Sequence, residues 1–119
     1  MVGHRILLVE DNKDLREDFT ELFMLDGYEV YAAMDGRQAL AILQDHPVDI
    51  IISDYDMPNM NGYELLQAVR GDSNLADTPF LMFSGAQTPN FPEDKNFHFL
   101  RKPVRINVLI DTVNGLIKG

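Results

Sequence analysis

The sequence contains no cysteine among its 119 residues, which excludes disulfide bonds and thiolate metal sites. It also lacks a long apolar run, since blocks such as Ile50–Ile52 and Phe80–Phe83 are far shorter than a bilayer crossing requires. After His4 and Arg5, only Ile6–Val9 is apolar, which is too short for the hydrophobic region of a secretory signal. We therefore expect a cytoplasmic protein that does not associate with membranes.

Basic residues are scarce. Lysine and arginine number 10 against 19 aspartates and glutamates, and the net charge is −9. A surface of this sign repels phosphate backbones, so we expect no direct binding to nucleic acid. The acidity is explained either by solubility or by carboxylates that converge on a cation, and composition does not choose between them.

Apolar blocks alternate with helical patterns along a chain whose length suits one domain, residues 1–119. Five blocks are typical of strands: Ile6–Val9, Tyr28–Ala33, Val48–Ser53, Phe80–Phe83 and Phe97–Leu100. The second block is the more polar one, which indicates a strand near a sheet edge. Between and after the blocks, apolar residues recur at helical spacing, as in the stripe Ile106, Leu109, Ile110, Val113 and Leu116. This alternation predicts an α/β domain with a parallel sheet and right-handed crossovers.

Helix-end signals support this division. Asp11 or Asn12 can cap the first helix, and Gly27 can end it. Asn61 and Glu64, three residues apart, form the pattern of a capping box with asparagine in place of serine or threonine.

One segment departs from the alternation. Between Ser84 and Phe97, where a fourth helix is expected, Pro89 and Pro92 interrupt the chain. We predict mostly loop there, with at most a short helix. After the fifth strand, Pro103 is expected to open the last helix.

Polar side chains stand where each of four predicted strands ends. They are Glu10 and Asp11 after the first strand, Asp54 and Asp56 at the third, Ser84 at the fourth, and Lys102 at the fifth. In an open α/β sheet, ligands bind beyond the carboxyl ends of the strands, so these groups are expected to share one edge of the sheet.

Crowded carboxylates repel each other unless a cation neutralises them, and Mg²⁺ with oxygen ligands is typical where phosphate is handled. Lys102 offers a positive charge and Ser84 a hydroxyl donor to phosphoryl oxygens. Asp54 could then act as a nucleophile toward phosphorus and form an acyl phosphate. Taken singly, each residue has a plainer interpretation: Asp54 as a helix cap, Ser84 as a strand end, and Lys102 as a surface lysine.

Four segments carry a resemblance to a known family. They are Ile6–Asn12, Ser53–Pro58 running on to Asn61–Gly62, Phe83–Gly85 and Leu100–Pro103. With these segments the whole chain resembles the receiver domain of two-component response regulators.

The resemblance implies roles for individual residues. Asp54 would be the phosphoacceptor, while Glu10 and Asp11 would hold Mg²⁺ together with Asp54 and the backbone carbonyl of Asp56. Ser84 would be the switch hydroxyl and Lys102 the lysine that pairs with the phosphoryl group. Phe99 would be the aromatic switch, although in an alternating Phe97, His98, Phe99 run an aromatic is often ordinary core.

The resemblance also implies a fold and a pathway. The fold would be flavodoxin-like, a doubly wound five-stranded parallel sheet of order 2-1-3-4-5, with the fourth helix short or degenerate here. The phosphoryl donor would be a sensor histidine kinase or a histidine phosphotransfer protein, and the switched surface would act on a downstream effector domain or protein. The Lys102–Pro103 bond would be cis.

Two departures from the family stand out. Gly85 follows Ser84 where receivers usually have alanine, and the interval from Ser84 to Lys102 is shorter than in most receivers. The shortening affects the region that forms the common output face, so the chemistry is expected to carry over better than the usual docking mode.

Two alternatives remain open at this stage. One is a Mg²⁺-dependent phosphohydrolase with Asp54 as nucleophile and Asp56 as acid–base group, although 119 residues leave little room for a substrate-binding cap. The other is a degenerate receiver that acts as a pure interaction module. We expect a phosphoacceptor that catalyses its own phosphotransfer and dephosphorylation, and not an enzyme that turns over an external substrate.

Overall fold

The computed structural model of the protein describes residues 3–85 and 94–118. Strands and helices follow one another as β1 (Arg5–Val9), α1 (Lys13–Leu25), β2 (Glu29–Ala33), α2 (Gly36–Asp45), β3 (Ile50–Asp54), α3 (Gly62–Gly71), β4 (Phe80–Ser84), β5 (Phe97–Arg101) and α4 (Ile106–Lys118). We predicted a short or degenerate helix between β4 and β5. That segment falls largely on residues 86–93, outside the described residues. No helix in the two described ranges has the length and apolarity that a bilayer crossing demands.

The five strands form one parallel sheet of order β2-β1-β3-β4-β5, as the resemblance implied. The more polar second block is an edge strand, also as predicted. Because all strands run the same way, their carboxyl ends lie along a single edge of the sheet.

Two hydrophobic clusters sandwich the sheet, which explains why the central strands are apolar at every position. Leu7 of β1 and Met82 of β4 point to the cluster that includes α2 and α3. Leu8 of β1 and Phe83 of β4 point to the other cluster, with α1 and α4. Strands β1, β3 and β4 are buried almost throughout, so little freedom is left to the residues at their ends.

The helix-end predictions are confirmed where side chains decide them. Asn12 accepts from the Leu15 N–H and caps α1. Gly27 follows that helix with φ +96°, a conformation that glycine adopts without strain. Asn61 and Glu64 form the expected reciprocal capping box at the start of α3.

The second strand begins at Glu29, one residue after the predicted Tyr28, and two other predicted starts are further off. The third strand begins at Ile50 and not at Val48, because the Asp49 side chain accepts the Arg5 N–H. The last helix begins at Ile106 and not at Pro103, since its first backbone hydrogen bond, from the Leu109 N–H, is accepted by the Arg105 carbonyl. The Lys102–Pro103 bond is cis, as the resemblance implied.

Arg70, near the end of α3, ties three segments together. Its guanidinium donates to the carboxylate of Asp94 at 2.5 Å, to the Thr78 carbonyl at 2.7 Å and to the Asn96 carbonyl at 3.1 Å. Burial raises the pKa of Asp94, but the hydrogen bond and charge of Arg70 outweigh it and lower the pKa below its ordinary value. The entries to β4 and β5 are thereby fixed to one helix.

Gly62 lies against the backbone that carries Asp54. A Cβ at position 62 would lie 2.7 Å from the Asp54 carbonyl oxygen and 2.9 Å from the Tyr55 Cα. Both neighbours are backbone atoms, so a side chain at position 62 forces the turn after β3 to move.

We predict that Gly62→Ala lowers the free energy of unfolding by about 1–3 kcal/mol, because this overpacking displaces the Asp54 backbone. Gly71→Ala, at the other end of α3, is the matched control. A Cβ there meets nothing within 4 Å, so that variant should gain roughly 0.4–1 kcal/mol. Urea unfolding of both variants checks this, and equal effects at the two positions would contradict it.

Candidate functional site

The carboxyl ends of β1 and β3 bring three carboxylates together. Glu10 and Asp11 follow β1, and Asp54 is the last residue of β3. One oxygen of each carboxylate lies within 4.8 Å of the others. Glu10 and Asp54 are buried, while Asp11 is exposed and so faces solvent at the mouth of the cluster. The acids predicted from the strand pattern therefore do share one edge of the sheet.

Lys102 supplies the positive charge beside this cluster. Its Nζ donates to Asp54 Oδ2 at 2.9 Å, and its backbone N–H donates to the Ser84 carbonyl at 2.9 Å. Burial lowers the pKa of Lys102, but the hydrogen bond and charge of Asp54, together with Glu10 and Asp56, raise it above its ordinary value. The lysine is therefore a firmly charged ammonium that contacts the candidate nucleophile.

Asp54 has a second partner in the chain that follows it. The Asp56 N–H donates to Asp54 Oδ1 at 3.1 Å, so both carboxylate oxygens accept hydrogen bonds. This orients the carboxylate before any ligand arrives.

The Ser84 hydroxyl contacts Asp56, two residues after Asp54. Ser84 Oγ, which is buried, donates to Asp56 Oδ2 at 3.4 Å. The Asp56 carboxylate is exposed, and the metal-binding role of its backbone carbonyl stays a prediction.

Phe99 lies in β5, opposite Met82 of β4. It is half-buried against the cluster that includes α2 and α3, and the Arg101 guanidinium lies 5.9 Å from its ring centre. The structure places it two strands from Asp54 and not within the carboxylate cluster, so its switch role also stays a prediction.

The Glu10 carboxylate is buried close to other carboxylates, which disfavours its charged form. Its Oε2 accepts the Asn12 N–H at 2.9 Å, but Oε1 is buried without a hydrogen-bond partner. Burial, opposed in part by that N–H, raises the pKa of Glu10 to about 7, and the neighbouring Asp11 and Asp54 add to the rise. A buried, unpartnered carboxylate oxygen beside two further carboxylates fits a hard divalent cation such as Mg²⁺.

Sequence reasoning missed Arg16. Its Nη1 donates to the Glu10 carbonyl at 2.9 Å and to the Asp11 carbonyl at 3.4 Å, so the first turn of α1 reaches back and fixes the loop that carries both acids. An arginine on the first turns of a helix after an acidic pair is the signal that could have indicated this contact.

Glu10 generates a pH prediction for the metal-free protein. Since its pKa is higher in the folded state than the ordinary 4.5, the folded state binds the extra proton, and stability rises as the pH falls from about 7 toward 4.5. Glu10→Gln removes this titration. The difference in unfolding free energy between wild type and variant should therefore change by up to about 1.4 kcal/mol per pH unit in that window.

Chemical unfolding of both proteins at a series of pH values, with a chelator present, measures this difference. A difference that stays constant between pH 4.5 and 7 would contradict the prediction.

Comparisons with known proteins agree with this geometry. The family model described as response regulator receiver domain matches residues 6–114. The sensor kinase CckA of Brucella abortus is 35% identical over 119 residues, covering 95% of this chain and 12% of that protein. The two-component response regulator ORR7 of Oryza sativa subsp. japonica is 36% identical over 105 residues, covering 84% of this chain and 50% of that protein. The chain thus spans half or less of these two curated relatives.

Solved structures give the same result. The chemotaxis protein CheY4 of Vibrio cholerae has a TM-score of 0.83 and 35% identity, covering 96% of this chain and 98% of that one. The receiver domain from the hybrid histidine kinase CckA has a TM-score of 0.81 and 35% identity, covering 95% and 98% of the two chains. With its sheet order and acidic cluster, the chain belongs to the response regulator receiver domain family and is a receiver domain of two-component systems.

Proposed function

We propose that Asp54 accepts a phosphoryl group from a phosphohistidine of a sensor histidine kinase or a histidine phosphotransfer protein. The observation that carries this is the setting of Asp54: a carboxylate 3% exposed at the end of a central strand, beside two further carboxylates and 2.9 Å from an ammonium. A plain cap or turn residue needs none of these neighbours.

In the transfer, an oxygen of the Asp54 carboxylate forms a bond to phosphorus while the bond from phosphorus to the donor imidazole nitrogen breaks. The imidazole leaves with the electron pair of that bond and takes up a proton, and Asp54 becomes an acyl phosphate. Lys102, already within hydrogen-bond distance of Asp54, would turn to a phosphoryl oxygen, and Ser84 would donate to another. The chain contributes position and charge to this step.

The carboxylates of Glu10, Asp11 and Asp54, with the carbonyl of Asp56, would hold Mg²⁺. A bound Mg²⁺ supplies positive charge beside the phosphoryl oxygens. The unpartnered Oε1 of Glu10 and the mutual approach of the three acids support this assignment.

The phosphorylated state would alter the contacts of Ser84 and, through β4 and β5, the packing of Phe99, and so change a surface that a downstream effector domain or protein recognises. A cytoplasmic location fits this role. In this proposal, the protein catalyses its own phosphorylation and dephosphorylation and does not turn over external phosphoesters.

The test is incubation with acetyl phosphate or beryllofluoride and Mg²⁺, followed by intact-protein mass spectrometry and NMR. We predict one adduct on wild type and none on Asp54→Asn. Asp45→Asn, an exposed aspartate at the end of α2, is the matched control and should behave as wild type. Chelation of Mg²⁺ should abolish the adduct.

Contrary results are clear. An adduct that persists on Asp54→Asn, or none on wild type, rejects Asp54 as phosphoacceptor. Sustained turnover of small phosphomonoesters would indicate the phosphohydrolase alternative, and no heat-stability gain with Mg²⁺ would indicate a degenerate interaction module.

A further inference from the structure

The ammonium of Lys102 has a second neighbour besides Asp54. Its Nζ lies 5.4 Å from the centre of the Phe83 ring, within the range in which a cation is attracted by an aromatic face. Phe83 and Asp54 are register partners in the β3–β4 ladder, and the Lys102 N–H is held by the Ser84 carbonyl, one residue after Phe83. Backbone hydrogen bonds therefore fix the backbones of Asp54, Phe83 and Lys102 relative to one another.

Core residues on the side of the sheet that faces α1 and α4 hold the Phe83 ring in place. Phe83 is 3% exposed and belongs to the cluster that includes α1 and α4. The Phe19 ring of α1 packs edge-on against it, at 6.2 Å between ring centres and 86° between planes. Phe83 therefore presents a rigid surface to a lysine whose side chain is 33% exposed and long enough to adopt many rotamers.

The other side of the lysine stem receives less support. A Cβ at Gly85 would lie 3.4 Å from Lys102 Cβ and 3.8 Å from its Cδ. Because residue 85 is glycine, no methyl group from this position packs against the aliphatic part of Lys102. The position of that side chain therefore depends more on its contact with the Phe83 ring.

We propose that Phe83 is a positioning residue that holds the Lys102 ammonium over the phosphorylation site by a cation–π contact. This inference rests on the proposed function of Asp54. The Lys102–Asp54 ion pair depends on a free carboxylate, and that pair changes when the carboxylate is converted to an acyl phosphate. The attraction to the ring does not depend on the charge of Asp54, so it keeps the ammonium near the site before and after transfer. An aliphatic residue would fill the same core space without this attraction.

The plainer interpretation is that Phe83 is only core. Phe83→Leu and Phe23→Leu separate the two, since Phe23 is fully buried in the same cluster but its ring packs against Tyr28. Both variants lose one aromatic ring from the same core. Only Phe83→Leu removes the ring next to Lys102.

The first measurement is the rate of phosphorylation by acetyl phosphate at saturating Mg²⁺. We expect Phe83→Leu to lower this rate by roughly three- to ten-fold, with the Mg²⁺ dissociation constant unchanged by calorimetry, and Phe23→Leu to stay within about two-fold of wild type despite a similar fall in Tm. A rate for Phe83→Leu within that two-fold range, or an equal loss in Phe23→Leu, would overturn the proposal.

The second measurement uses metal-free protein and does not depend on phosphorylation. The Lys102 side-chain protons should show a ring-current shift in the NMR spectrum that disappears in Phe83→Leu and persists in Phe23→Leu. Absence of that shift in wild type refutes the contact. Failure of wild type to form an adduct rejects the proposed role of Asp54 instead, so the two ideas fail separately.

If Phe83→Leu does not fold, fluorinated phenylalanines at position 83 replace it, since fluorine weakens the ring's attraction for a cation with little change in size. The phosphorylation rate should then fall stepwise with each added fluorine. A rate independent of fluorination would overturn the proposal.

Discussion

The properties of the candidate site follow from an excess of negative charge at the carboxyl edge of the sheet. Glu10, Asp11 and Asp54 bring three carboxylate oxygens within 4.8 Å of one another, and among the described residues the only salt bridge to any of them comes from Lys102. Like charges at this distance destabilise the folded chain unless they are protonated or neutralised. Burial is the main cause of the raised pKa of Glu10, and Asp11 and Asp54 add to the rise, while one oxygen of the same carboxylate has no hydrogen-bond partner. Three carboxylates in this arrangement fit a divalent cation, in agreement with the proposed Mg²⁺ site.

The fold tolerates this cost because the strands that bear the acids are held on both faces. Apolar side chains of β1 and β3 enter two separate clusters, so neither strand can slide or tilt without exposing core. The turns after these strands are equally constrained, by Arg16 behind Glu10 and Asp11 and by Gly62 beneath Asp54. These contacts keep the three acids close together despite their mutual repulsion.

Sequence reasoning predicted the features that depend on short stretches of the chain. Apolar runs and helical stripes predicted the five strands, their parallel direction and the shared edge, because strand periodicity and strand ends can be read directly. The order 2-1-3-4-5 came only with the family resemblance, since periodicity does not specify which strands are neighbours. Arg16 and the contact between Phe83 and Lys102 were missed for a related reason. Both depend on the direction in which a side chain points across the fold, which spacing along the chain does not encode.

Arg70 illustrates a further property of the fold. β5 lies at the edge of the sheet, so it has a hydrogen-bonded neighbour on one side only, β4. Its amino end is anchored through the Asn96 carbonyl to the guanidinium of Arg70, and Lys102 immediately follows its carboxyl end. The amino end of this edge strand is thus tied to α3, and the residue just past its carboxyl end, Lys102, contacts Asp54. Loss of the Arg70 guanidinium, at the edge of the sheet where β4 and β5 begin, would consequently loosen the strand that leads to Lys102.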